Sequence, residues 1–295
     1  MIVITTPTGQ IGQQVLDRVL DDGAATTRVI VRDPSRLPPR VRDRVEVVEG
    51  SHSDADAITK ALAGADRLFW LVPPPPFSYP GSAAQYYLDF TRPACAVIAD
   101  QGVGVVAVTT LGHGYRGEAG LLSAALAMDE LIERAGPPYR ALALPFFMEN
   151  LLRQAGEIKE QGTFSMANAA DRPLPTIATR DVAAAAADLL LSRSWSGQAR
   201  VPVVSPDNLT PDEMAEVISD TLGRTVRYCQ VPIADREAAM VRRGANPTIA
   251  QAMSAMTEAQ NDGIYDAEPR HPGSAAPTSF RQWCREILKP AIPLR

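Results

Sequence analysis

Ile2-Val3-Ile4-Thr5-Thr6-Pro7-Thr8-Gly9-Gln10-Ile11-Gly12-Gln13-Gln14-Val15 is the stretch that decides the fold. A β-branched apolar run passes through a glycine turn into a helix-competent segment, in the order that a dinucleotide pyrophosphate requires. The strand is buried, Gly9 lets backbone approach the phosphates, and Gly12 lets the helix pack closely on the strand. The helix N-terminus then offers free N–H groups at the positive end of its dipole. One glycine of the usual set is missing. The common spacing puts glycines at 7, 9 and 12, where Pro7 stands first; the alternative puts them at 6, 9 and 12, where Thr6 stands first. Context compensates: Thr27-Arg28-Val29-Ile30-Val31 follows after one helix length, and Arg32 lies about twenty residues beyond Gly12, where the residue that reads the adenine-side ribose belongs.

An acidic residue there would bind the ribose hydroxyls and repel a 2′-phosphate, whereas an arginine donates a charge-assisted, bidentate contact to it. Arg32 therefore points to NADP(H), with Ser35 and Arg36 as further phosphate contacts. Asp33 keeps NAD(H) as the lesser alternative, unless it caps the turn that Pro34 enforces. The expected cofactor contacts are Thr6, Thr8, Gly9, Gln10, Ile11, Gly12, Arg32, Ser35 and Arg36, then Leu71, Val72 and Pro73 after the fourth strand and Thr109 at the end of the fifth.

The 295 residues are 45% hydrophobic with a formal net charge of -5, which suits a globular α/β domain with an accessory part. A mildly acidic chain without basic runs interleaved with aromatics does not fit a phosphate backbone, so no nucleic-acid partner is expected. No apolar segment is long enough to span a bilayer, and the opening residues read as a core strand rather than a leader, so the expectation is a cytoplasmic monomer or homodimer with no membrane partner. Cys95, Cys229 and Cys284 lack metal or disulfide spacing, and His52, His113 and His271 form no ligand cluster. No metal is expected.

Apolar runs alternate with helix-length segments through the first half, the signature of a doubly wound parallel sheet. Strands are expected at 1–5, 28–31, 45–48, 67–72, 103–109 and 140–144, with helices at 10–20, 54–62, 83–101 and 122–135. Sequential right-handed crossovers gather the loops after strands one, two, four and five at the carboxyl edge, where ligands bind. The stiff Pro73-Pro74-Pro75-Pro76-Phe77-Ser78-Tyr79-Pro80-Gly81 loop reads as a wall of a substrate pocket or a rigid connection. An alanine-rich helix at 178–191 and a strand at 199–204 return to the sheet. Asn208-Leu209-Thr210-Pro211-Asp212-Glu213 reads as a helix entry, followed by a helix at 214–222 and a strand at 224–231. The division expected is a Rossmann domain over 1–150 with 176–204 returning to it, and a smaller α+β substrate lobe from 151–175 and 205–295.

Thr6-Pro7-Thr8-Gly9-Gln10-Ile11-Gly12, Val31-Arg32-Asp33, Ala63-Gly64-Ala65-Asp66 and Pro145-Phe146-Phe147-Met148-Glu149-Asn150-Leu151 together resemble the NmrA-like group of atypical short-chain dehydrogenases/reductases. The resemblance spans the whole chain. It implies an NADP(H)-binding Rossmann domain, a C-terminal substrate lobe, and one of two outcomes: reduction of quinone-, imine- or carbonyl-type substrates, or redox sensing without turnover. The ordinary short-chain reductases protonate the substrate through a Tyr-x-x-x-Lys pair on the helix after strand five, and those places fall near Leu121 and Ala125 here. Neither side chain can donate a proton. Thr109 and Thr110 take the place of the family's serine pair, as hydroxyls for substrate or carboxamide or as backbone-directed strand residues.

Thr110, His113 and Tyr115 are the candidate catalytic groups, His113 because an imidazole titrates near neutrality. Phe77, Tyr87, Phe146, Phe147, Met148 and Asn150 are the expected lining of an apolar, aromatic-tolerant pocket, and Tyr86 belongs either to that pocket or to the core. Asp129, Glu130 and Glu133 read as exposed helix charges, with Glu130 and Arg134 at pairing distance. The leading reading is an NADPH-dependent reductase of an activated apolar or aromatic acceptor that needs no Tyr-Lys pair. The alternatives are a non-catalytic NADP(H)-binding regulator and a redox-neutral isomerase or cyclase.

Overall fold

The computed structural model describes residues 1–192, 194–267 and 276–292; His271 lies outside them. Strands β1 (Ile2–Ile4), β2 (Thr27–Val31), β3 (Glu46–Glu49), β4 (Arg67–Trp70), β5 (Gly104–Thr110) and β6 (Tyr139–Leu144) alternate with helices α1 (Gln10–Asp22), α2 (Pro39–Arg42), α3 (Ala55–Leu62), α4 (Ala83–Gln101) and α5 (Leu121–Ala135). Beyond them come β7 (Phe146–Phe147), α6 (Ala155–Gln161), β8 (Thr163–Met166), β9 (Thr176–Ile177), α7 (Thr179–Leu191), β10 (Gln198–Pro202), α8 (Pro211–Leu222), β11 (Arg227–Gln230), α9 (Ile233–Arg242), α10 (Pro247–Asn261) and α11 (Phe280–Trp283). Seven parallel strands form one sheet in the order β10-β6-β5-β4-β1-β2-β3.

Successive strand residues point to opposite faces, and here both faces are covered, so the strands read as continuous apolar runs. Phe69 and Val106 join Val15, Leu16 and Val19 of α1 and Val182, Ala183 and Ala186 of α7 on one face. Leu68, Trp70, Val105 and Ala107 meet Ile58, Ile98, Met128 and Ile132 from α3, α4 and α5 on the other. The alanines of α7 are small enough to bring it against α1. β10 extends the sheet beside β6, with Gln198 opposite Tyr139.

A separate core gathers around Phe164, Met214, Ile218, Ile264, Phe280 and Trp283. α8 starts where its sequence says: Thr210 accepts from Glu213 N, Glu213 reaches back to the Thr210 amide, and Pro211 occupies the first turn, a reciprocal cap. The strand expected at 224–231 is the four-residue β11, paired in parallel with β8 outside the main sheet. No helix among the described residues is long and apolar enough to cross a membrane.

Candidate functional site

The turn after β1 is built from two threonines. Thr5 Oγ1 donates to Phe69 O (3.0 Å) and accepts from Leu71 N (3.1 Å), tying the ends of β1 and β4 together. Thr6 has φ +50°, the one non-glycine in left-handed backbone among the described residues. A β-branched side chain is an outlier there, so position 6 adopts the conformation of the missing glycine without being one. Gly9 caps α1 with no side-chain cap on the helix, which leaves the first-turn amides for an anion.

Among the described residues, six buried side-chain polar atoms lack a hydrogen-bond partner, and four of them, Thr6 Oγ1, His52 Nε2, Trp70 Nε1 and Thr109 Oγ1, lie at or just past the carboxyl ends of β1, β3, β4 and β5. Buried polar groups are rarely left unpaired, and this clustering on the edge where dinucleotides bind fits the residues present to that cofactor. Arg32 and Arg36 stand exposed beside it and make no ion pair with described residues. Asp33 accepts from Ser35 N (3.0 Å) and Ser35 Oγ (2.6 Å), which holds its carboxyl below the ordinary value. It is therefore the cap of the Pro34–Arg36 turn, and the Ser35 hydroxyl proton is spent on it. Thr8 and Gly9 are partly exposed, Gln10 is open to solvent, and Ile11 packs inward; Leu71 and Pro73 are partly exposed, with Val72 buried between them.

At the end of β5 the two threonines differ. Thr110 Oγ1 donates to Leu111 O (3.0 Å) and lies 3.4 Å from Leu144 O; it also bonds the hydroxyl of Tyr265, a residue the sequence did not single out. Gln260 Nε2 donates to that same hydroxyl (2.9 Å), and Asn168 Nδ2 donates to Gln260 Oε1 (2.9 Å). Burial pushes Tyr265 up to about 12. Thr109 Oγ1 is unspent.

His113 is not a solvated loop residue. Its Nε2 lies 2.9 Å from Asp129 Oδ2, with the side chain only 9% exposed. The other Asp129 oxygen accepts from Tyr139 OH. Asp129 is thus a correction to the sequence reading: it is completely buried, whereas Glu130 pairs with Arg134 (3.3 Å) and Glu133 with Arg200 (3.1 Å) at the surface. Burial first, and the neighbouring carboxylate second, raise the Tyr139 phenol well above its usual range. Tyr115 OH donates to Asp262 Oδ2 (3.0 Å), across to the C-terminal lobe. Ala125 is buried and Leu121 half-buried on α5.

The proline loop reaches the same lobe: Phe77 O accepts from Asn246 N (2.7 Å) at the entry of α10, while the Phe77 ring is 54% exposed. Tyr79 packs on Tyr86 (5.0 Å), Tyr86 on Phe90 (4.7 Å), and Phe90 on His52 (4.9 Å), which stands edge-on to Trp70 (5.1 Å). Burial brings His52 down to about 4, so it is neutral in the fold, and the half-buried Tyr87 up to about 12. Phe146, Phe147 and Asn150 are partly exposed, whereas Met148 has no exposed surface and belongs to the lobe core rather than to a pocket lining. Glu149 is a helix cap. It accepts from Thr179 N (3.1 Å to both oxygens), Thr179 Oγ1 (2.9 Å) and Trp283 Nε1 (3.2 Å). It thereby satisfies the start of α7, whose own N-cap residue is Ala178.

Residues 7–193 match an NAD(P)H-binding family and residues 125–281 the NmrA-like family. An NAD(P)H azoreductase of Xenophilus azovorans is 27% identical over 94% of this chain and 95% of its own length. A (4-alkanoyl-5-oxo-2,5-dihydrofuran-3-yl)methyl phosphate reductase of Streptomyces griseus is 28% identical over 99% of this chain and 100% of its own. The crystal structure of an NADPH-dependent quinone oxidoreductase from Escherichia coli, complexed with NADPH, superposes with a TM-score of 0.79 at 22% identity, covering 97% of this chain and 99% of that one. With the glycine turn in the first match and the Phe146–Leu151 run in the second, the chain belongs to the NmrA-like family of NAD(P)H-binding proteins.

Proposed function

We propose that this chain is an NADPH-dependent reductase of activated, apolar acceptors of quinone, imine or conjugated-carbonyl type, working without a Tyr-Lys pair. The observation that carries the reading is the state of the proton donors around the end of β5. Leu121 and Ala125 have none, the His113 ring is held on the buried Asp129, and the Tyr115 hydroxyl proton is committed to Asp262. Hydride delivery to a simple ketone builds alkoxide charge that needs a positioned acid, a contribution of about a hundredfold or more. A quinone delocalises that charge, and an iminium is neutralised by the hydride itself.

NADPH, when bound, supplies the hydride. Gly9 and the first amides of α1 hold the pyrophosphate, Thr6 and Thr8 flank it, and Arg32 with Arg36 takes the 2′-phosphate. Thr109 offers the one unspent hydroxyl of the serine-pair place to the carboxamide or the acceptor oxygen. Phe147, Phe146, Tyr87 and Asn150 with the proline loop shape the acceptor pocket. The azo and quinone acceptors in the names of its relatives belong to the same electron-poor class.

An assay following NADPH absorbance with simple ketones, quinones and cyclic iminium ions tests this. Turnover is expected with quinones or iminium ions and little with ketones. Efficient ketone reduction that survives His113→Ala and Tyr115→Phe overturns the argument from the missing donor. Silence on the whole panel despite tight NADPH binding favours a redox-sensing regulator.

A further inference from the structure

Thr5 and Thr6 are neighbours of one kind in opposite states. The Thr5 hydroxyl is used twice, donating to Phe69 O (3.0 Å) and accepting from Leu71 N (3.1 Å). The Thr6 hydroxyl oxygen is closed off from solvent with no partner among the described residues, and its backbone stands at φ +50°. Each feature lowers stability. A left-handed conformation is an outlier for a β-branched residue, and a hydroxyl taken from water without a hydrogen bond is unfavourable. Glycine at position 6 would avoid both, since it adopts positive φ without strain and carries no hydroxyl. A threonine that adds two penalties to a turn suited to glycine needs something outside the protein that offsets them.

The turn itself points to that partner. Thr6 Cβ lies 3.8 Å from the point that a Cβ on Gly9 would occupy, and Thr6 Oγ1 lies 3.0 Å from that of a Cβ on Gly12. The side chain therefore stands between the two glycines of the turn, beside the space that Gly9 keeps open. Thr6 O is already engaged: it accepts from Gly9 N (2.9 Å) and fixes the turn on which the hydroxyl is mounted. α1 starts here without a side-chain cap and with no acidic residue in its first turn, so free amides and the positive end of the dipole favour an anion at the same place. Such an anion supplies the acceptor that the hydroxyl lacks.

We infer that the Thr6 hydroxyl donates a hydrogen bond to the dinucleotide pyrophosphate. Where the first glycine of the turn is missing, a side-chain ligand stands in its place, at the expense of stability in the free protein. The inference rests on the pyrophosphate seat at Gly9 and adds to it a donor that a glycine turn does not have.

Thr6→Val is the discriminating substitution, because valine matches threonine in shape and branching and deletes only the hydroxyl. Without cofactor it should melt no lower than wild type, since removing an unpaired buried donor strands no partner. Calorimetric titration should nonetheless show NADPH bound tenfold or more weakly, the scale of a hydrogen bond to a charged acceptor. NADH, which carries the same pyrophosphate, should weaken by the same factor. Thr6→Ser keeps the hydroxyl and should bind both within threefold of wild type, whereas Thr6→Gly frees the backbone but should follow the valine variant in affinity.

NADPH binding by Thr6→Val within threefold of wild type removes the contact. A loss for NADPH that spares NADH moves it to the 2′-phosphate, and a cofactor-free Thr6→Val protein melting several degrees below wild type shows that the hydroxyl serves the fold; each of the three overturns the inference. Gly9→Ala keeps the two levels apart: if it also binds NADPH normally, the pyrophosphate seat itself fails, and if it does not while Thr6→Val does, only the hydroxyl's role fails.

Discussion

Adding one methyl group at Gly12 or at Gly9 should break two different things. A Cβ on Gly12 would lie 2.1 Å from Thr6 O and 2.8 Å from Thr6 C, inside any real contact distance. The backbone it meets is held: Thr6 O accepts from Gly9 N (2.9 Å), and Thr5 is tied to Phe69 on β4. Overpacking that forces backbone to move costs up to about 3 kcal/mol, and alanine's better helix propensity returns about 1 kcal/mol, so Gly12→Ala should lose about 2 kcal/mol. For a chain of this size that lowers Tm by roughly 3 °C. A Cβ on Gly9 would lie 3.3 Å from the same oxygen, on extended backbone (φ -87°, ψ 164°) that any residue adopts. Gly9→Ala should therefore melt within a degree or two of wild type, yet lose NADPH, because its methyl stands where the pyrophosphate must approach. Chemical denaturation and calorimetric titration of NADPH on both variants separate the effects. A Gly12→Ala protein as stable as wild type would refute the packing argument, and Gly9→Ala binding NADPH within threefold of wild type would move the phosphate site elsewhere.

Arg32→Ala should erase a preference for NADPH over NADH on the order of tenfold or more; an unchanged ratio in parallel titrations would remove Arg32 from the 2′-phosphate. His52 is held neutral at about 4 against 6.5 when free, by burial first, with Arg32 adding to it. Between those values the unfolded chain binds a proton that the fold does not, so stability falls as pH drops from 7 to 4, by about 3 kcal/mol at about 1.4 kcal/mol per pH unit. Between pH 7 and pH 4 the wild type should lose about 3 kcal/mol relative to His52→Phe, which lacks this protonation, as read from urea midpoints, and parallel pH curves would count against burial as the cause. Asp129→Ala should cost about 3–5 kcal/mol, since it strands both Tyr139 OH and the His113 ring; a loss under about 1 kcal/mol, the range of a surface charge, would show that this contact carries little.

Asp129 also shows where the sequence was readable and where it was not. The sheet was legible because each strand is a short apolar run bounded by turn residues, and α8 because Thr210, Pro211 and Glu213 are local signals that need no tertiary partner. Asp129 was read with Glu130 and Glu133 as one charged face, although it falls on the buried stripe of α5, four residues after Ala125 and three before Ile132. That spacing was a usable signal, but burying a carboxylate requires partners, and His113 and Tyr139 come from a loop and a strand on either side of the helix. Glu149 is hidden in the same way. The Phe146–Leu151 run is distinctive in sequence, yet its carboxylate answers to Thr179 and Trp283, 30 and 134 residues away. Tyr265 carries no motif at all; its hydroxyl meets Thr110 and Gln260 only because the chain returns to the end of β5 more than 150 residues later. Local chemistry therefore makes the strand–turn–helix over 2–15 and the cap at Asp33 readable from neighbouring residues alone, whereas the roles of Asp129, Glu149 and Tyr265 are set by partners that are remote in sequence and adjacent only in the fold.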